Sequence, residues 1–332
     1  MSTSIPPVLP PSYDVIVIGA GPSGLATAIA ASKAGLSAVV LEKGALVNSL
    51  LHFPIDMVFF TTPELLEIGG LPFVSPHEKP TRQEALKYYR RVTDTFKLDV
   101  RYGEAVEGLR RDRDGDFVVS SREITRRARA VVIATGAYDV ANRMGVPGED
   151  LPHVSHYYRE AHPFFRRSVV IVGGKNSAAE AALDLYRNGV DVTLVHRGAT
   201  LGESIKYWVK PDIENRIKEG SVRARFSTRV VEITPAEVRV DGPDGPASVA
   251  ADAVLLLTGY RSDTTLLRSV GAAIDETIGA PVHDPATFET TVPNLFVAGA
   301  VVAGQQSGRI FIENGRFHGE VVIKEIARRL AT

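Results

Sequence analysis

Residues 14–24 read Asp14-Val-Ile-Val-Ile-Gly19-Ala-Gly-Pro-Ser-Gly24, and the next apolar stretch runs into Glu42. Four consecutive β-branched residues suit a strand buried on both faces of a parallel sheet. A glycine turn follows at once. Small residues from about Ser23 to Ala34 then predict a helix that Gly35 closes, and Ser37 to Leu41 predicts a second strand. Strand, G-x-G-x-x-G, helix, strand and acid, in that order, make a dinucleotide-binding β-α-β unit. Gly19 permits the tight turn, Gly21 lets a pyrophosphate approach the backbone, and Gly24 brings helix and strand together. The helix that opens at Pro22 and Ser23 offers its first N–H groups and positive end to phosphate. A carboxylate at Glu42 suits the bare hydroxyls of a ribose.

The plan recurs. Ser168-Val-Val-Ile-Val-Gly173 predicts a strand, about Asn176 to Asn188 a helix ended by Gly189, and Asp191 to Val195 a further strand. Gly19 to Glu42 spans 23 residues, and Gly173 to His196 spans the same 23. Each copy also has a later apolar strand ending in Thr-Gly, at Ala130–Gly136 and Ala253–Gly259. The expected fold is therefore α/β, with two Rossmann-like dinucleotide-binding domains of the three-layer type. After Gly259 only a strand, Asn294-Leu-Phe-Val-Ala-Gly299, and a helix from about Phe311 to Leu330 remain. These are too few for a third domain and are expected to complete the first. That places a first domain at 13–152 and 263–332 around an inserted second domain at 153–262. Links are expected near Pro147–Pro152 and Arg261–Asp263.

The second loop, Gly173-Gly174-Lys175-Asn176-Ser177-Ala178, has Lys175 where the second glycine usually stands. Its side chain must turn outward or place its ammonium on a phosphate. The second copy ends in His196-Arg197 where the first has Glu42. A carboxylate repels a ribose 2′-phosphate, whereas a guanidinium makes charge-assisted bonds to it. The first site is accordingly assigned to FAD and the second to NADPH, with His196 packed near the adenine or its phosphate and Lys206 and Lys210 as auxiliary cations.

The bulk numbers narrow the classes. With 38 basic and 39 acidic residues, the formal charge of -1 offers no footprint for nucleic acid or an anionic membrane. The chain has no cysteine, which excludes a disulfide scaffold, a thiolate metal site and a protein dithiol relay. His153 and His156 lack a third ligand in metal-binding spacing, so no metal is expected. No G-x-S-x-G elbow supports a hydrolase. Residues 1–12 hold four prolines, no charged n-region and no long apolar run, and read as a disordered leader. No run approaches a membrane span, so a cytoplasmic protein is expected.

Several stretches carry a resemblance: His52-Phe-Pro54, Phe59-Phe60-Thr61-Thr62, Leu66-Glu67-Ile68-Gly69, Lys79-Pro-Thr-Arg-Gln-Glu84, Ser204-Ile-Lys-Tyr-Trp-Val-Lys-Pro211 and Arg309-Ile-Phe-Ile-Glu-Asn-Gly-Arg-Phe-His-Gly319. With the two glycine loops, their order resembles the low-molecular-weight thioredoxin reductases, and more closely the YpdA-type bacillithiol disulfide reductases. The resemblance implies a homo-oligomer that uses NADPH to reduce FAD, and FAD to reduce a small-molecule disulfide. It further implies FAD contacts at Lys43, Asn48, Ser49, Phe53, Val106, Thr135, Gly136, Gly299, Ala300 and Ile310. NADPH contacts are implied at the second loop from Gly173 to Ala178, at His196, Arg197 and Lys206, and at Gly259. Three departures from one or other of these groups stand out. Thioredoxin reductases carry Cys-x-x-Cys where this chain has Lys175-Asn176-Ser177-Ala178, and the YpdA-type group has cysteine where this chain has Ser23. A serine hydroxyl cannot form a mixed disulfide. Gly299-Ala300 also replaces the Gly-Asp of related flavoproteins, an acid the YpdA-type group lacks as well. Alternatives open at this point are a ferredoxin- or flavodoxin-NADP reductase, an NADPH-dependent flavin monooxygenase or oxidase, and a redox sensor without turnover.

Overall fold

The structure is a computed structural model that describes residues 11–306 and 308–331. The chain divides into two compact units. One comprises the chain up to His52, Met57–Val140 and the chain from Tyr260 onward; the other comprises Phe53–Asp56 and Ala141–Gly259. The second unit starts earlier than the sequence suggested. Met144, Val146 and Leu151, placed by the sequence in the first domain, pack on a core that includes Val170, Val172 and Val254. Apolar side chains, rather than the turn formers after them, set the boundary. At the far end, Tyr260, Arg261 and Ser262 belong to the first unit.

The first unit is built on a sheet containing β1 (Ser12–Ile18), β2 (Ala38–Leu41), β3 (Val100–Arg101), β4 (Val106–Arg111), β5 (Phe117–Ser121) and β6 (Thr125–Ile133), in the order β3-β2-β1-β6-β5-β4. β1 takes in Ser12, which the sequence reading left to the leader; residues 1–10 of that segment lie outside the described residues. Val15 to Ile18 are at most 4 % exposed, because helices and loops cover both faces of the sheet. Each such side chain contributes about 1.5–3 kcal/mol over an exposed one. The strand β6 is shared. Its first half pairs antiparallel with β5, while Val131–Ile133 pairs parallel with the late strand Leu295–Val297. The late segment does return to complete the first sheet.

The helix α1 (Pro22–Lys33) follows β1 and packs against the long C-terminal helix, α2 (His318–Leu330). Its composition of alanine, glycine and threonine suits burial on nearly every side. The helix expected over Phe311–Leu330 is instead two pieces, a turn at Ile312–Gly315 and then α2.

The second unit repeats the plan. Arg223–Arg225, Asp191–Val195, Ser168–Val172, Ala253–Leu256 and Val154–Ser155 form a wholly parallel five-stranded sheet in that order. A separate antiparallel sheet of Arg229–Ile233, Glu237–Gly242 and Gly245–Ala250 covers one face. The helix Asn176–Arg187 covers the other, burying Ala178, Ala179, Ala182 and Leu185. Val154–Ser155, where Leu295–Val297 lies in the first sheet, was missed in the sequence because two residues carry no periodicity.

Candidate cofactor sites

The first cradle lies between the end of β1 and the start of α1. The Gly19 amide donates to the Leu41 carbonyl at 2.8 Å, tying the loop to the tip of β2. Gly19 has φ +109°, and a Cβ there would stand 2.5 Å from the Ala134 carbonyl oxygen. A Cβ on Gly24 would stand 1.9 Å from the Gly19 oxygen. Both glycines are thus consumed by the loop's own packing. Gly21 is different. Its φ of −72° suits any residue, and a Cβ there would meet nothing within 4 Å. The protein has no internal need for glycine at 21, so the open space beside it is where a bound group can approach. This is the fit expected of a pyrophosphate cradle.

Glu42 is buried and already engaged. Its Oε2 accepts the Ala20 amide at 2.8 Å and its Oε1 the Gly44 amide at 2.9 Å, leaving one lone pair on each oxygen for a ribose. Ser23 is half-buried. Its side chain fills the space a Cβ on Gly299 would need, with Oγ 2.5 Å from that position, and also abuts Gly315. Thr135 is half-buried, and its hydroxyl has no partner among the described residues. Gly136 has φ +75°. Lys43 pairs with Asp139 at 2.8 Å. Asn48 Oδ1 accepts the Ala45 amide at 3.3 Å. Ser49, Val106, Ala300 and Ile310 are half-buried; Val106 opens β4 opposite Ser121, and Ile310 packs on Gly315. Phe53 lies in Phe53–Asp56, the short segment grouped with the second unit.

The second cradle repeats the first tie, with the Gly173 amide donating to the Val195 carbonyl at 3.1 Å. As at Gly19, a Cβ on Gly173 would crowd a backbone oxygen, that of Leu257 at 2.7 Å, and here a further glycine is required. A Cβ on Gly174 would lie 2.3–2.5 Å from three atoms of the His196 ring, and one on Gly198 would lie 2.7 Å from His196 Nε2. The imidazole is seated between two glycine α-carbons. Burial, and then the neighbouring Arg197 charge, hold its pKa below the usual histidine value. Lys175 is the exposed N-cap of the helix, in extended backbone any residue can adopt, so a lysine costs nothing there. Ser177 is exposed and Ala178 buried, a small residue packed on Gly173. Gly259 has φ +94°, and its carbonyl accepts the Asn142 amide at 2.9 Å.

Each auxiliary cation faces a carboxylate. Lys206 Nζ lies 2.6 Å from Glu180 Oε1, and Lys210 Nζ lies 2.9 Å from Glu203 Oε2. The Asn176 side chain clamps the following loop, donating to the Ser204 carbonyl at 3.0 Å and accepting the Lys206 amide at 2.9 Å. Arg197 is exposed and has no partner among the described residues, which leaves its guanidinium available. Residues missed in the sequence serve from behind. Arg82, buried, donates through Nε to the Leu50 carbonyl at 2.8 Å, and the Gly299 amide donates to His318 Nδ1 at 3.2 Å. The signal for Arg82 was legible, since Thr81-Arg-Gln-Glu84 forms the capping box that opens its helix.

The profile of the pyridine nucleotide-disulphide oxidoreductases matches residues 16–299, both glycine loops included. The chain belongs to that family. As a pyridine nucleotide-disulphide oxidoreductase it is an enzyme, with FAD and NADPH as cofactors. Among curated relatives of this pyridine nucleotide-disulphide oxidoreductase is the bacilliredoxin reductase Bdr of Bacillus subtilis (strain 168). It is 42% identical over 315 residues, covering 95% of this chain and 97% of the relative. Among solved structures, the bacillithiol disulfide reductase Bdr (YpdA) of Bacillus cereus is 40% identical with a TM-score of 0.93, covering 96% of this chain and 99% of that one. The Staphylococcus aureus enzyme of the same description is 36% identical with a TM-score of 0.92 at the same coverage. Among the described residues, no helix of this oxidoreductase is long and apolar enough to cross a membrane.

Proposed function

We propose that the first cradle holds FAD, the second holds NADPH, and the enzyme reduces a small-molecule disulfide of the bacillithiol type. The observation that carries the assignment is the pair of strand ends: a buried carboxylate at Glu42 in one unit, an unpaired guanidinium at Arg197 in the other. A bare ribose suits the first and a 2′-phosphate the second. The bound cofactors supply the hydride chemistry. The chain's part is positioning. Gly19, Gly21, Pro22, Ser23 and Gly24 shape the pyrophosphate site, Glu42 fixes the loop and keeps acceptor capacity for the ribose, and His196 and Arg197 flank the second nucleotide. Lys175 is free to meet a phosphate from the helix start.

The overall reaction consumes one NADPH, one proton and one disulfide, and releases NADP⁺ and two thiols. With no cysteine in the sequence, no mixed disulfide with the protein can form, so the disulfide is reduced directly at the flavin. Support for the substrate class comes from the relatives, two of which are described as bacillithiol disulfide reductases. The reading includes a cytoplasmic homo-oligomer, supported by the family resemblance and by the location of NADPH and small-thiol pools.

Anaerobic reduction by NADPH, followed by separate additions of bacillithiol disulfide, ferredoxin and a quinone, tests the proposal. Bacillithiol disulfide should restore the oxidised flavin spectrum and yield two thiols per NADPH. Reoxidation by ferredoxin alone would refute the assignment, as would aerobic turnover that ends only in peroxide.

A further inference from the structure

Gly299 opens the turn that follows the strand Leu295–Val297, at φ +77° and hard against Ser23 of the glycine loop. Its amide donates at 3.2 Å to Nδ1 of His318, a buried residue at the first position of α2. An Nδ1 that accepts must carry no proton, so the ring is the neutral tautomer with its proton on Nε2. A helix N-terminus also disfavours the charged ring.

The ring is held on its flat side as well. Phe288 stacks on His318 with centroids 4.1 Å apart and planes 18° apart, and His283 stacks on Phe288 at 5.8 Å and 14°. His283 Nδ1 lies 2.8 Å from the Pro281 carbonyl, which makes it the donor and keeps that ring oriented. Phe288 adopts φ +59°, a left-handed conformation that a bulky side chain rarely tolerates. Strain of this kind persists where the surroundings over-determine it, and it gathers at functional sites. Here it lays an aromatic ring on His318.

We propose that His318 is a positioning residue for FAD: it fixes the Gly299–Ala300 turn, which bears on the glycine loop through Ser23, in the shape that binds the cofactor. The proposal rests on the reading of the first cradle as the FAD site. It gives a task to an imidazole that neither the glycine loops nor the acid at the strand end explain. His318 acts through Gly299 and need not touch the cofactor itself.

The test uses the full chain stripped of flavin and titrated with FAD, with the bound-flavin midpoint potential and thermal melting as further readouts. His318→Phe preserves a flat ring on Phe288 but removes the acceptor. It should weaken FAD binding about tenfold or more, and shift the potential, while melting in a single transition. His318→Asn, whose side-chain oxygen can accept the same amide, should recover most of that loss. Phe288→Leu relaxes the stack but keeps the acceptor, and should weaken FAD clearly less than His318→Phe. Wild-type affinity and potential in His318→Phe would overturn the proposal. So would a loss in Phe288→Leu equal to that in His318→Phe, which would mark the stack as packing alone. Should His318→Phe fail to fold, the ranking of His318→Asn against Phe288→Leu decides: an asparagine variant that binds no better than the leucine variant refutes the hydrogen-bond role. Gly21→Val serves as the control. FAD retention in that variant removes the FAD assignment of the cradle itself; its loss, with His318→Phe unaffected, removes only the role of His318.

Discussion

Glu42 and Ala20 are joined by a buried hydrogen bond of 2.8 Å from the Ala20 amide to the carboxylate, so the acid at the tip of β2 grips the glycine loop it faces. The same side chain holds the Gly44 amide at 2.9 Å. Glu42→Ala would strand two backbone donors, each costing about 1–3 kcal/mol if left unpaired. The flavin-free protein should melt at lower temperature, and FAD should bind more weakly still. A variant that loses FAD with an unchanged melting curve would show that Glu42 serves only the ligand.

Gly24 and Gly21 should separate folding from binding. Gly24→Ala places a methyl 1.9 Å from a backbone oxygen and should destabilise the protein by more than ~2 kcal/mol. Gly21→Ala meets nothing, so its stability should stay within about 0.5 kcal/mol of the parent while FAD affinity falls. Denaturant melts and a flavin titration on both variants distinguish the two effects. Equal stability loss in both would contradict the geometry.

His196 and Gly174 should show coupled substitutions. Gly174→Ala pushes a methyl into the imidazole and should raise the KM for NADPH, whereas adding His196→Ala makes room for that methyl. The double variant should therefore be less impaired than the sum of the singles, by about 0.5–3 kcal/mol in a double-mutant cycle on kcat/KM. Additive effects would place the ring elsewhere.

Arg197→Ala should raise the KM for NADPH about 10- to 100-fold, the worth of a charge-assisted contact to a phosphate. The KM for NADH should barely move. Steady-state kinetics with both nucleotides decides; an equal rise for both would assign Arg197 to a part they share.

His318 makes a prediction about acid. Burial, and then the charge of His283, press its pKa down to about 4 from an ordinary 6.5. Between those values the unfolded chain takes up a proton that the folded ring refuses, so stability falls as pH drops from 6.5 to 4 and this contribution is flat outside that window. The loss amounts to roughly 3 kcal/mol. Glu325, pressed down from 4.5 to about 2 by its hydrogen bonds to Arg328 and Arg329, acts between those values and so touches only the acid end of this window. Thermal melts of His318→Phe from pH 7 to 4 should show a shallower decline than the parent. Parallel curves would mean that the native imidazole titrates as it does in the unfolded chain.

The sequence disclosed most of what repeats and little of what occurs once. The 23-residue interval was readable because it measures one strand, one turn, one helix and the next strand, and both copies close it with the same amide-to-carbonyl tie, at Gly19–Leu41 and Gly173–Val195. Val154–Ser155 was invisible because its partner strand, far along the chain, makes it a strand. The grouping of 141–152 was missed because Met144 and Leu151 declare their side only by what they pack against. The pairing of Lys206 with Glu180, one turn into the helix, was likewise not legible, because nothing in the spacing joins the two. Lys175 looked like a defect in the second loop, yet no glycine is needed at its position; Gly173 is held to glycine by the Leu257 carbonyl, and Gly174 by the His196 ring that rests on it.

The amide of Asn142 meets the carbonyl of Gly259 at 2.9 Å, and the Thr258 hydroxyl donates to the Asn142 carbonyl at 2.7 Å. The long segment of the second unit therefore departs and returns through a single doorway. A cassette with adjoining ends can be spliced into a host loop, or exchanged for another of different nucleotide preference, without severing a strand of the host sheet. For protein engineers, the proposed NADPH site would then be a detachable part.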